Sequence, residues 1–154
     1  METILSLPLW SEGIRRGVEK VPGVSVPEGV RLLVTPGMVD GLAADDVIVL
    51  ADGEPGYRIV ERGGNFGVWI WFDGRVEKDD DRVVAARGLA EQLEGRLDGG
   101  TSRSVVLTIP AKSGFARICS ALDAWVGARP FAVWEFTNAY APDGETPLDW
   151  WTPL

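Results

Sequence analysis

The sequence predicts an α+β fold: an antiparallel β-meander in the front half, then α-β-α-β, with the sheet covered by two helices. Three observations carry this. Short β-branched runs separated by turn residues fill the chain up to about residue 75. The apolar period then lengthens to three and four residues in two stretches, near 82–97 and 115–126. Finally, a hydrophobic share of 45% beside a charged share of 25%, in 154 residues, is the usage of one globular core.

Val30 to Thr35 is rich in aliphatic and β-branched side chains and closes on Pro36-Gly37, a strand and its turn. Val47 to Leu50 and Tyr57 to Val60 flank Asp52-Gly53-Glu54-Pro55-Gly56 and read as a hairpin. Gly63-Gly64-Asn65 then joins Tyr57–Glu61 to Val68–Phe72 as a second hairpin. The charged run from Glu77 to Arg82 offers acids to the positive end of a helix, in which Val83, Ala86, Ala90, Leu93 and Leu97 form one apolar face until Gly99-Gly100. Ser104 to Ile109, stopped by Pro110, is a buried strand. Ser113 is the expected N-cap of a second helix whose stripe is Phe115, Ile118, Cys119, Leu122, Trp125 and Val126, ending at Gly127. Phe131 to Phe136 is the last strand, with Ala132, Trp134 and Phe136 on one face and Glu135 on the other. From Asn138 to residue 154 the tail mixes Pro142, Pro147 and Pro153 with Tyr140, Leu148, Trp150 and Trp151, an irregular segment with aromatic anchors. All of 1–154 is expected to form a single domain.

The absence of histidine removes the commonest general base, nucleophile activator and zinc ligand together. No Gly-x-Ser-x-Gly elbow, Ser-x-x-Lys, phosphate loop or dinucleotide turn occurs. Cys119 sits on an apolar helix stripe, so its reading is core rather than nucleophile. Asp79, Asp80 and Asp81 lack the spacing of a calcium loop. Asp45 and Asp46 are adjacent on an extended segment and point to opposite faces, a poor acid–base pair. No metal and no cofactor are expected. A carboxylate-and-arginine enzyme built on Asp45, Asp46, Arg58 and Glu61 is the weakest of three functional readings.

Apolar runs such as Val68–Phe72 are far shorter than the roughly 20 residues a membrane helix needs. The start, with Glu2 and Pro8, lacks the basic and apolar regions of a secretory signal, and the lone cysteine excludes an internal disulfide; the expected location is cytoplasmic. A net charge of -8 opposes binding to nucleic acid or anionic lipid. The acids cluster: Asp40, Asp45, Asp46, Asp52 and Glu54 in one stretch, and Glu135, Asp143, Glu145 and Asp149 in another, neither holding a Lys or Arg.

The run Val34-Thr35-Pro36-Gly37-Met38-Val39-Asp40-Gly41 through Asp45-Asp46-Val47-Ile48-Val49, with Tyr57–Gly64 and Val106-Leu107-Thr108-Ile109-Pro110, resembles an uncharacterised family of small bacterial proteins with a strand-rich front half and an α+β back half. The resemblance spans about residues 30–137 and rests on turn and strand patterns, so it transfers no functional residue. In size and acidity the chain is also similar in character to the immunity proteins of bacterial toxin systems.

The leading expectation is therefore a non-catalytic acidic binding protein, an immunity protein that neutralises a basic partner such as a toxin. Asp40, Asp45, Asp46, Asp143, Glu145 and Asp149 would steer that partner, and Trp150 or Trp151 would anchor it. The alternative is a small-molecule-sensing or regulatory module whose pocket, between sheet and helices, is lined by Trp69, Trp71 or Trp134.

Overall fold

The computed structural model describes residues 1–152; Pro153, assigned above to the tail, lies outside the described residues. The fold is α+β, as the sequence predicts, but it holds two antiparallel sheets. The first is a meander of β1 (Glu2–Ser11), β2 (Ile14–Val26), β3 (Gly29–Leu32), β4 (Val47–Leu50) and β5 (Tyr57–Glu61), in that order. The second comprises β6 (Asn65–Phe72), β7 (Arg96–Gly100), β8 (Ser104–Pro110) and β9 (Ala132–Phe136), ordered β7-β8-β6-β9. Helices α1 (Asp81–Gln92) and α2 (Phe115–Gly127) complete a β-α-β-β-α-β unit of the split βαβ kind.

Three expectations are corrected, and one element is added. The first 26 residues form the long β1–β2 ribbon, whose inward positions Leu5, Leu7 and Val21 seed the first core. Gly63-Gly64 is not a hairpin turn; it carries the chain from β5 in one sheet to β6 in the other. The helix predicted to reach residue 97 stops at Gln92, because Glu94 takes a positive φ of 65° and the Gly95 amide bonds back to Ala90 O at 2.8 Å. Arg96 to Gly100 then pairs with β8 as an additional strand. Ser113 does not cap α2: its Oγ donates to Leu93 O at 2.7 Å, tying the end of α1 to the start of α2. The expectation for α1 holds, since Asp80 accepts a bond from Arg82 N at 2.9 Å and caps the helix.

Alternation along β6 divides two environments. Phe66, Val68, Ile70 and Phe72 are buried under the helices with Val83, Ala86, Ala90, Leu93, Ile118 and Leu122. Gly67, Trp69 and Trp71 lie on the other face. There the connection between β3 and β4 presses against the sheet, and Trp69 Nε1 donates to Pro36 O at 3.0 Å. Only glycine fits at 67: a Cβ would lie 2.4 Å from Thr137 Oγ1 and 2.7 Å from Thr35 Cγ2.

The connection at residues 33–46 is held by polar bonds instead of strand pairing. Asp98, its side chain 4% exposed, accepts from Thr35 N at 2.9 Å, from Arg96 Nε at 2.6 Å and from the Thr108 hydroxyl. With the Thr108 proton committed to Asp98, Thr35 Oγ1 donates to Thr108 Oγ1 at 2.6 Å while accepting from Ala44 N at 3.0 Å. Further along, Thr137 Oγ1 donates to Leu42 O and Gly41 N to Thr137 O, both at 2.8 Å. Asp98→Ala strands the buried Thr35 amide and Thr108 hydroxyl, so stability in urea is expected to fall by about 2–4 kcal/mol. Because that network joins both sheets, calorimetry of the wild-type chain should show one transition; two separate transitions would contradict it.

Candidate functional site

The acidic residues singled out from the sequence divide into those consumed by the fold and those left facing solvent. Asp46, expected on a binding surface, is fully buried: it accepts from Ala43 N at 3.0 Å, Gly63 N at 2.8 Å and Arg62 Nη1 at 3.2 Å. Burial raises its carboxyl pKa, opposed by those two amides and by Arg62. Its work is to close the loop that leads into β4, and it cannot meet a partner. Asp45, exposed with φ 73°, accepts from Asn65 Nδ2 at 3.0 Å. Among the described residues no hydrogen bond or ion pair links Arg58 or Glu61 to either aspartate, so the structure does not assemble the suggested carboxylate-and-arginine centre.

Trp150 and Trp151 turn inward. Trp151 stacks on Phe115 at 5.0 Å between ring centroids, and Trp150 lies 5.0 Å from Phe66 while its Nε1 donates to Asn138 O at 2.8 Å. Arg62 packs over the Trp150 ring at 5.6 Å, joining the tail to the Asp46 ion pair. Both rings are half-buried.

Asp40 occupies a different place. It sits on the ridge between two recesses, of ≈ 370 Å³ and ≈ 190 Å³. The larger is walled by Trp134, Phe136 and Tyr140, rimmed by Glu135, and bounded by the turn at Gly144. The smaller is walled by Trp10 and Tyr57, with Glu54 at its side. Neither contains a Lys or Arg. Trp10 Nε1 is buried and has no hydrogen-bond partner among the described residues. The larger recess also runs along the open edge of β9. Among the described residues that strand pairs only with β6, and since Thr137 N bonds Gly67 O, strand alternation turns the backbone groups of Trp134 and Phe136 outward.

The electrostatics follow first from burial and then from the crowding of like charge. The protein around Asp40 strips water from its carboxyl and raises its pKa, against a bond to the Gly41 amide. Glu135 is raised by burial and then by the negative charge of Asp40. Tyr57, which donates to Asp40 O at 2.7 Å, is pushed up to about 12 by burial and by the Asp40 carboxylate. Asp143, in contrast, is held at about 2 by the Thr146 hydroxyl and the Thr146 and Glu145 amides, which fix the turn beside the recess. Glu145 and Asp149 are exposed. Trp134, Glu135 and Tyr140 complete a site that sequence reasoning did not assemble, because strand pairing rather than spacing brings them to Asp40.

Residues 19–129, from β2 to just past the end of α2, match the family described as a domain of unknown function, DUF4265. The chain belongs to this family. That identifies the uncharacterised family suggested by the turn and strand patterns, and it carries no assigned chemistry. No curated protein matches the chain. Among solved structures, a hypothetical protein from Neisseria gonorrhoeae is similar with a TM-score of 0.65 at 15% identity, over 89% of this chain and 94% of that one. At such identity the likeness is one of fold.

A pocket between sheet and helices, expected on the small-molecule reading, is present, but its walls are aliphatic and contain none of Trp69, Trp71 or Trp134. Among the described residues no group of three or more His, Cys, Asp or Glu is placed to hold a metal ion, and no helix is long and apolar enough to cross a membrane. Cys119 is half-buried against the helical core, its thiol pKa raised by burial and by Asp123.

Two outcomes are expected. Trp151→Ala should lower stability by about 3–5 kcal/mol in chemical denaturation, since it empties the space against Phe115 and Phe66. Asp40→Asn should move the Glu135 titration midpoint down toward 4.5 in carboxyl-resolved NMR, because it removes the neighbouring negative charge. An unmoved midpoint would show that the two carboxylates do not sense each other. The sign for stability is fixed too: carboxyls raised in the folded state contribute stability below their unfolded values, and that contribution is lost as pH rises through the folded values.

Proposed function

We propose that this protein is a non-catalytic binding protein that captures a basic segment of another protein, and that in its cellular role it is a bacterial immunity protein neutralising a cognate toxin. The observation carrying this reading is Asp40, shared by two aromatic-walled recesses that hold carboxylates and no cation. Lysine and arginine side chains suit such recesses twice over, by ion pairing with Asp40, Glu54 and Glu135 and by lying over the faces of Trp10, Tyr57 and Tyr140.

The raised carboxyls add a driving force. Burial makes ionisation of these carboxyls less favourable than in free side chains, and a bound cation offsets that cost. The open edge of β9 offers main-chain groups to an extended segment, whose side chains then reach the recess. Asp143 and Glu145, on the turn that bounds the larger recess, and Asp149 are further exposed charges that accelerate encounter. The absence of histidine and of a metal-ligating cluster among the described residues suits an inhibitor. An inhibitor of a basic enzyme works by filling a positive substrate channel with carboxylates.

The test begins with pull-down of a partner from the source cells, followed by surface plasmon resonance. The double variant Asp40→Asn/Glu135→Gln is expected to slow association about tenfold at low salt and to flatten its salt dependence, with the fold intact by circular dichroism. A partner that is acidic, or one whose rates the double variant leaves unchanged, would overturn the proposal.

A further inference from the structure

The pocket between sheet and helices, of ≈ 350 Å³, lies between α1 and the β7–β8 hairpin, and unlike the two recesses at Asp40 its lining carries cations, Lys78 and Arg87, beside one acid, Glu77. It is walled by Val76, Val83, Leu97 and Val105. Its mouth carries Lys78 and Arg87, both exposed, and neither forms an ion pair among the described residues. Glu77, the one acid of the lining, is paired with Arg75 at 3.4 Å. The Thr101 and Ser104 hydroxyls, 2.7 Å apart, satisfy each other at the polar end.

The recess exists because of the local backbone. Leu97 and Gly100 oppose Leu107 and Val105 across the hairpin, on the face that meets the helices. A Cβ at Gly100 would lie 2.3 Å from Ser104 O, so no side chain can occupy that place. Val83 and Arg87, one helical turn apart, roof the space from above.

We infer that this recess binds a small amphipathic monoanion, a carboxylate with a short hydrocarbon tail. The tail fills the aliphatic walls and the carboxylate sits between Lys78 and Arg87. The volume falls in the range of small-molecule sites, and two cations over an apolar floor select an anion over a neutral or cationic molecule of the same length. The inference is independent of the capture of a basic segment, which uses the opposite charge on other residues.

The experiment titrates octanoate into the isotope-labelled full chain and follows methyl and amide NMR signals, with octanol and octylammonium as controls. Octanoate should shift Val83, Leu97 and Val105 saturably, while octylammonium leaves them in place. Arg87→Gln combined with Lys78→Gln should weaken octanoate about tenfold or more, to the level of octanol. Both substitutions are at exposed positions, so the folded spectrum should persist. Leu97→Trp, filling the recess, should abolish the shifts while signals elsewhere stay unchanged. Scattered shifts, equal affinity for octanoate and octanol in the wild type, or an unchanged affinity in the charge variant would each overturn the assignment.

Discussion

The buried carboxylate of Asp98 is the constraint on which the arrangement of the two sheets depends. It belongs to the edge strand of the helical half, yet its oxygens are taken up by the Thr35 amide of the meander half and by the Thr108 hydroxyl. Through the Thr35 hydroxyl the same chain of bonds reaches Ala44, so a single side chain fixes both limbs of the connection between β3 and β4. Arg96 shields the charge from solvent and also donates to Leu33 O at 2.9 Å, adding a second link across the halves. Such a network specifies one arrangement because each partner is left unsatisfied in any other.

Once the connection is seated, the surface features follow. Gly41 is bonded to Thr137 through its amide and to Arg62 through its carbonyl, which leaves the neighbouring Asp40 projecting beside β9. Asp46 and Arg62 then close the loop from inside, and Arg62 supports the Trp150 ring. The acidic ridge is thus a by-product of how the loop is bolted down: the carboxylate of Asp46, which faces inward, gives rigidity, and that of Asp40, six residues earlier, is left exposed.

Most of the secondary structure was legible because amphipathic period is a local property. The β4–β5 hairpin, β8, α2 and β9 lie where aliphatic alternation, helical stripe and turn residues put them. What local pattern did not reveal was assignment to sheets. The strand Val68–Phe72 is apolar on both faces, which fits a meander strand and the central strand of a separate sheet equally well, and the difference lies in pairing with β8 and β9. β7 was hidden because Leu97 continues the helical spacing of Leu93. The ribbon was hidden because the aliphatic residues of β2, Ile14, Val18, Val21, Val24 and Val26, do not follow the strand period and Pro22-Gly23 interrupts them. For the candidate site, the charge pattern marked which stretches are acidic, while burial decided which of those acids stay at the surface. No count of charges distinguishes Asp46 from Asp40; only the donors that converge on Asp46 do.

The two sheets are contiguous in the chain, and this has a consequence for biosynthesis. Every strand of the meander has left the ribosome once Glu61 emerges, before any strand of the helical half has left it. At that moment the inward side chains Leu5, Leu7, Leu32 and Ile48 can already collapse together. Thr35 and Leu42, however, still await Asp98, Thr108 and Thr137. The nascent chain therefore carries a half-finished protein whose longest loop is the last part of the meander to settle, and translation through β9 completes it.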